Sequence, residues 1–243
     1  MKRSAKKTSS GGKMFGILFA LLAVIVIVVG FLFFNPFGGK ASNTAKKTNG
    51  SSTSASSQTI KYEPSQEEKD YLKNRFDQLI AVNPEAIAYV YAPGTELDEP
   101  VVQTTDNETY LNKTFDGGNV PYLGTVFMDM DNKKDFSDRL TWLFGHARGS
   151  KVGDHRMFND VNFYDKQDYF DQHPYVVIET PERKYYYEAM CLVIVPETTA
   201  FYRTSFKDDK DFTTQLKKVY EDGQTKNPNI KIKASDKYLV LST

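Results

Sequence analysis

The spacing of apolar and polar residues divides the chain into three stretches. Met14 to Phe34 holds 21 residues without a charged side chain. At a helical rise of about 1.5 Å per residue, such a run spans roughly 30 Å of hydrocarbon and predicts a transmembrane helix. Residues 35–61 are mostly Gly, Ser, Thr, Asn, Ala and Lys. They carry too little apolar surface to offset the entropy of ordering and predict a flexible linker. From residue 62 onward the apolar positions recur at regular spacings and predict one folded domain, 62–243.

Within that domain, Ser65-Gln66-Glu67-Glu68 has the form of a capping box. Leu72, Phe76, Leu79 and Ile80 then share a helical face, and Asn83-Pro84 stops the helix. Short runs rich in β-branched and aromatic residues follow at Ala86–Tyr91, Val101–Gln103, Gly124–Met128, Leu140–Phe144, Tyr175–Thr180 and Tyr185–Val195. Turn formers such as Pro93-Gly94 and Asp116-Gly117-Gly118 separate them. Phe158–Phe170 predicts one or two helical turns. A second helix is expected over Asp209–Asp222, with Phe212, Leu216, Val219 and Tyr220 on one face and Gly223 at its C-terminal end. Tyr238–Leu241 reads as a last strand. The pattern predicts a single mostly-β barrel with two or three helices at its edges.

Charge refines this picture. The chain is neutral overall, but eight of its 31 basic residues and none of its 31 acidic ones lie in residues 1–60, which leaves the body at −8. A body of that sign offers no electrostatic footprint for nucleic acid. Lys2, Arg3, Lys6, Lys7 and Lys13 precede the long apolar run, and sparser lysines follow it. That bias predicts a single-pass anchor with residues 1–13 as a cytoplasmic tail and the body outside the cell membrane. A cleaved signal peptide would have a shorter apolar region and a small-residue exit. This run leads instead into Phe33-Phe34-Asn35-Pro36-Phe37.

Candidate chemistry is sparse. Cys191 is the one cysteine, so no intrachain disulfide forms, and its place in a core strand predicts a buried, inert thiol. His146 follows Leu140–Phe144 and a turn-prone Gly145. This sets an imidazole where a rigid strand meets a loop, a common place for catalytic groups, although position alone serves a surface histidine as well. His155 and His173 read as solvated. Asp129-Met130-Asp131-Asn132-Lys133 begins like a calcium loop, but Lys133 occupies a ligand position and no glycine follows at the sixth. No zinc spacing, P-loop or dinucleotide fingerprint is present, and no metal or cofactor is expected. The residues by themselves lead only to an exported β-domain on an anchor.

Several segments taken in order resemble the class B sortases, cysteine transpeptidases of Gram-positive surfaces. They are Asn83-Pro84-Glu85, Ala88-Tyr89-Val90, Pro93-Gly94-Thr95, Pro100-Val101-Val102-Gln103, Asn107 to Leu111, Gly124 to Asp129, Phe144-Gly145-His146, Gly153 to Phe158, and Leu239 to Thr243. The resemblance covers about residues 62–243 and implies a closed β-barrel with an N-terminal helix and a helix before the last strands. It implies that a cysteine attacks a sorting-signal peptide to form a thioacyl enzyme, which an amine of peptidoglycan or of a pilin then resolves. His146 matches the family's acid–base histidine, and Asn107, Leu111, Phe144 and Ser242 match substrate-groove positions. The family cysteine would come directly after Thr243, with an arginine soon after, so the sequence in hand is expected to be truncated and catalytically incomplete. Arg148 and Arg156 read as loop residues rather than replacements. A non-catalytic, membrane-tethered peptide-binding module is the alternative.

Overall fold

The computed structural model describes residues 62–147, 155–196 and 201–243, together with the backbone of 22–29. Helix α1 (Gln66–Val82) opens the body as the capping box predicts, with Ser65 Oγ accepting from the Glu68 amide at 3.1 Å. It ends at Asn83, and its Leu72 and Phe76 are buried while Ile80 is 45% exposed.

The strands are β1 (Leu22–Val29), β2 (Ala86–Tyr91), β3 (Asp98–Val102), β4 (Val126–Met128), β5 (Leu140–Phe144), β6 (Tyr175–Glu179), β7 (Lys184–Val195), β8 (Thr225–Lys226) and β9 (Lys237–Ser242). They pair in the order β1-β9-β5-β4-β3-β2-β6-β7-β8, and β7 also pairs with β1. The body strands β2–β9 therefore curl into a half-barrel, mostly sheet as expected, and its two ends are joined only through β1, a segment not expected in the sheet. Pairs β3–β4 and β5–β9 are parallel and the others antiparallel. Helices α2 (Gln167–Gln172) and α3 (Asp209–Asp222) complete the body.

Strand β9 explains the core. Leu239 and Leu241 join one apolar cluster with Val126, Met128, Leu143 and Phe158, while Tyr238 and Val240 join another with Trp142, Phe212 and Leu216. Alternate side chains point to opposite faces, so a strand covered on both sides reads as the continuous apolar run Tyr238–Leu241. Helix α3 covers the second cluster, just where its apolar face predicts.

At the N-terminus the described backbone differs from the expected helix. Leu22–Val29 lies within the run read as a membrane-spanning helix, yet it forms a strand between β7 and β9. Among the described residues no helix is long and apolar enough to cross a membrane. The sequence offers a reason: Val24 to Val29 are all β-branched, a composition that favours strand over helix. Two strand edges offer that segment a full set of backbone partners. The rest of the expected anchor, the tail at 1–13 and the linker at 35–61 lie outside the described residues.

Candidate active site

His146 lies just beyond the end of β5, and three hydrogen bonds fix it there. The Gly145 amide donates to the Ser242 carbonyl at 3.0 Å, and the Phe158 amide donates to the His146 carbonyl at 3.1 Å. On the side chain, Nε2 lies 2.8 Å from the Leu111 carbonyl oxygen. A carbonyl only accepts, so Nε2 carries the proton and Nδ1 is the nitrogen able to take up another. Gly145 is needed for this placement. A Cβ there would lie 3.0 Å from the Phe158 ring and 3.1 Å from Val126 Cγ2.

The Leu111 carbonyl is itself held from below. Thr109–Leu111 is a 3-10 turn, and the Asp106 carboxylate accepts from the amides of Glu108 and Thr109 at 2.8 and 2.7 Å. Those bonds hold the Asp106 carboxyl below its ordinary range, the Thr109 amide having the largest effect. Tyr110 is buried, donating to Glu85 and accepting from the Asn83 side chain at 2.8 Å. The turn is thus tied to the end of α1.

Strand β9 runs parallel to β5 with Phe144 beside Ser242, which brings Gly145-His146 alongside the end of β9 at Thr243. Ser242 is 1% exposed, and its Oγ has no hydrogen-bond partner among the described residues. Phe144 is half-buried in an aromatic wall, 5.3 Å from Phe127 and 6.2 Å from both Trp142 and Tyr202 between ring centroids. Leu111, Phe144 and Ser242 therefore gather around the strand end that carries His146.

Asn107 has a different setting. Its side-chain amide donates to Asp129 at 2.9 Å, and its side-chain carbonyl accepts from the Met130 amide at 2.9 Å. Asp129 is fully buried and also accepts from the Tyr202 hydroxyl at 2.5 Å and the Asp131 amide at 2.8 Å. Burial and the Asp129 carboxylate push the Tyr202 phenol up. The segment that opened like a calcium loop thus spends its first carboxylate on bracing loops, and no group of metal-binding side chains occurs among the described residues. Tyr202 escaped the sequence reading because nothing local marks it; only the fold brings it to Asp129.

The remaining candidates have settings of their own. Cys191 is fully buried in β7, and burial pushes its thiol up to about 12. The thiolate, the form that attacks carbonyl carbon, is therefore strongly disfavoured at neutral pH. His155 is half-exposed, as expected of a solvated residue, but lies 2.8 Å from the Asp160 carboxylate. His173 departs from expectation: it caps α2, its Nδ1 donates to the Tyr169 carbonyl at 2.9 Å, and its ring packs 4.1 Å from the Tyr169 ring. Arg156 is exposed in a turn, and Arg148 lies outside the described residues.

No protein-family model matches the chain. It is similar to sortase B of Staphylococcus aureus, 26% identical over 175 residues, which covers 72% of this chain and 69% of that protein. Sortase B of Listeria monocytogenes is 28% identical over 174 residues, 71% of this chain and 68% of its own. Among solved structures, the S. aureus sortase B–substrate complex superposes with a TM-score of 0.64 at 25% identity, covering 70% of this chain and 76% of that one. Sortase B from B. anthracis gives 0.61 at 27% identity, covering 69% and 76%.

Proposed function

We propose that this chain, which belongs with the class B sortases in sequence and in fold, is a transpeptidase domain that takes a sorting-signal peptide and passes its acyl group to an amine of cell wall or pilin. The observation that carries the reading is the parallel register of β5 and β9, with Phe144 beside Ser242. That register sets the end of β9 alongside Gly145-His146, which supports a nucleophile that follows Thr243. A cysteine there would attack the scissile carbonyl as thiolate, forming a thioester as the C–N bond breaks. His146 would give a proton to the departing amine and take one from the incoming amine. The arginine that the resemblance assigns to the following strand would stabilise the oxyanion. Asn107, Leu111, Phe144 and Ser242 are proposed to line the peptide groove, and the relative solved with a substrate supports peptide binding at such a site.

The test is cleavage of a fluorogenic sorting peptide by a continued chain, in which Thr243 is followed by a cysteine and one further strand with its arginine. Turnover, and transfer to an added amine, is the expected result. A folded, continued protein that retains the peptide without cleaving it would favour the non-catalytic binding module instead. One that does neither would remove both readings.

Tethering to the outer face of the cell membrane through residues 14–34 is part of the proposal, supported by the uncharged run and the lysines before it. It requires Leu22–Val29 to leave the barrel, since one segment cannot be strand and spanning helix together. Val26 lies opposite Cys191 in β1–β7. Oxidation of a Val26→Cys variant would lock the strand form, and absence of that cross-link in membranes would support the anchor.

A further inference from the structure

The turn that holds His146 depends on a residue to which no chemistry has been attached. Gly124 precedes β4 with φ +65°, a left-handed conformation that side chains other than glycine adopt at a cost. Space matters more than φ here. A Cβ built on Gly124 would lie 2.1 Å from the Tyr110 carbonyl oxygen and 2.8 Å from that of Leu111. The second oxygen is the one that lies 2.8 Å from His146 Nε2. The next amide, that of Thr125, donates to the Tyr110 carbonyl at 3.1 Å, and Thr125 Oγ1 donates to the Lys113 carbonyl at 2.9 Å. The turn is therefore drawn onto the strand at the one point where a missing side chain lets two carbonyls come in.

We infer that Gly124 is a positioning residue for His146, acting through the Leu111 carbonyl. By admitting that oxygen it fixes the ring orientation and the Nε2-protonated tautomer, and so assigns acid–base work to Nδ1. This rests on the transpeptidase reading for its purpose, but not for its geometry. The neutral imidazole has two tautomers of similar energy, and the hydrogen bond made by one nitrogen decides the state of the other. Any side chain at 124 moves the turn outward and removes that decision.

The experiment is nitrogen-detected NMR of the histidine rings in the full chain, which needs no turnover. In the parent protein His146 should show a protonated Nε2 with a slowly exchanging proton and an unprotonated Nδ1. Gly124→Ala should lose the slow proton and average the two tautomers. Gly117→Ala is the control: Gly117 has φ +89° with nothing within 4 Å of an added Cβ, so it shares the backbone strain without the carbonyl contact. It should leave the His146 signals unchanged.

A parent His146 protonated on Nδ1 alone would overturn the inference, and this holds even if Gly124→Ala fails to fold. So would a folded Gly124→Ala protein with the parent spectrum. In the chain continued through the cysteine after Thr243, Gly124→Ala should lower kcat on the order of 10²-fold, a larger effect than any rise in KM from the displaced Leu111, as expected for a misplaced catalytic group. If the spectra behave as stated and the continued chain cleaves nothing, the transpeptidase reading fails while the positioning role of Gly124 stands.

Discussion

Cys191 and His146 are the two side chains from which a cysteine–histidine enzyme would be built, and the fold treats them in opposite ways. Cys191 sits in the middle of β7, between β1 on one side and β8 on the other, with its thiol among Met190, Val193, Leu216 and Val219. His146 sits one residue past the buried Gly145 at the end of β5, half-buried, with Nε2 held by the Leu111 carbonyl. A mid-strand position has backbone partners on both edges and side chains above it, so whatever stands there is desolvated. A strand end has the same rigid support behind it but open space ahead. The reactive residue type therefore says less than its distance from the strand end.

The sharpest way to break this comparison is to remove each side chain from the continued chain that carries a cysteine after Thr243. His146→Ala should lower sorting-peptide cleavage by about 10²- to 10⁴-fold, the usual weight of a positioned acid–base group. Cys191→Ala should leave kcat/KM within about twofold and cost roughly 1 kcal/mol of stability, for one small buried group lost. Urea melts with peptide kinetics measure both. Loss of cleavage in Cys191→Ala at full stability would reverse the assignment.

Alkaline pH tests the burial of Cys191 directly. Its folded value of about 12 lies above its ordinary value of 9.0, so the folded state holds the proton more tightly. The resulting stability is fully present below pH 9 and is lost as pH rises towards 12, at about 1.4 kcal/mol per unit. Buried tyrosines such as Tyr187 titrate in the same direction, so the informative quantity is the difference between the parent and Cys191→Ala. That difference should fall above pH 9, pass through zero within about one pH unit and then change sign, the variant becoming the more stable. A pH-independent difference would mean that solvent reaches the thiol.

The same contrast separates what the sequence disclosed from what it hid. Helix α1 with its Ser65 cap, strands β2 and β5, helix α3, the burial of Cys191 and the strand-end place of His146 all rest on local patterns, so the chain displays them directly. The strand Leu22–Val29 was hidden because its apolar run fits a bilayer by length. Only two edges roughly 160 and 210 residues away give it a sheet to join. The Leu111–His146 bond, the Asp129–Tyr202 brace and the His155–Asp160 pair were hidden for a related reason. Each depends on how loops meet in three dimensions, and hydrophobic periodicity carries no information about that.

The smallest expected effect concerns Ser242, which resembles Cys191 in burial and His146 in position. Its hydroxyl is buried beside Phe144 at the end of β9, yet it lacks a hydrogen-bond partner among the described residues. A buried hydroxyl left unpaired costs free energy that an apolar group of similar size does not. Ser242→Ala should therefore keep stability or raise it by up to about 1 kcal/mol. A hydroxyl held for the fold would instead show a loss of that size. If the groove proposal is right, the gain comes at the expense of the peptide, with KM of the continued chain rising about three- to tenfold, the value of one hydrogen bond. A more stable variant with unchanged KM would place Ser242 with Cys191, as strand interior, and would move the groove away from β9.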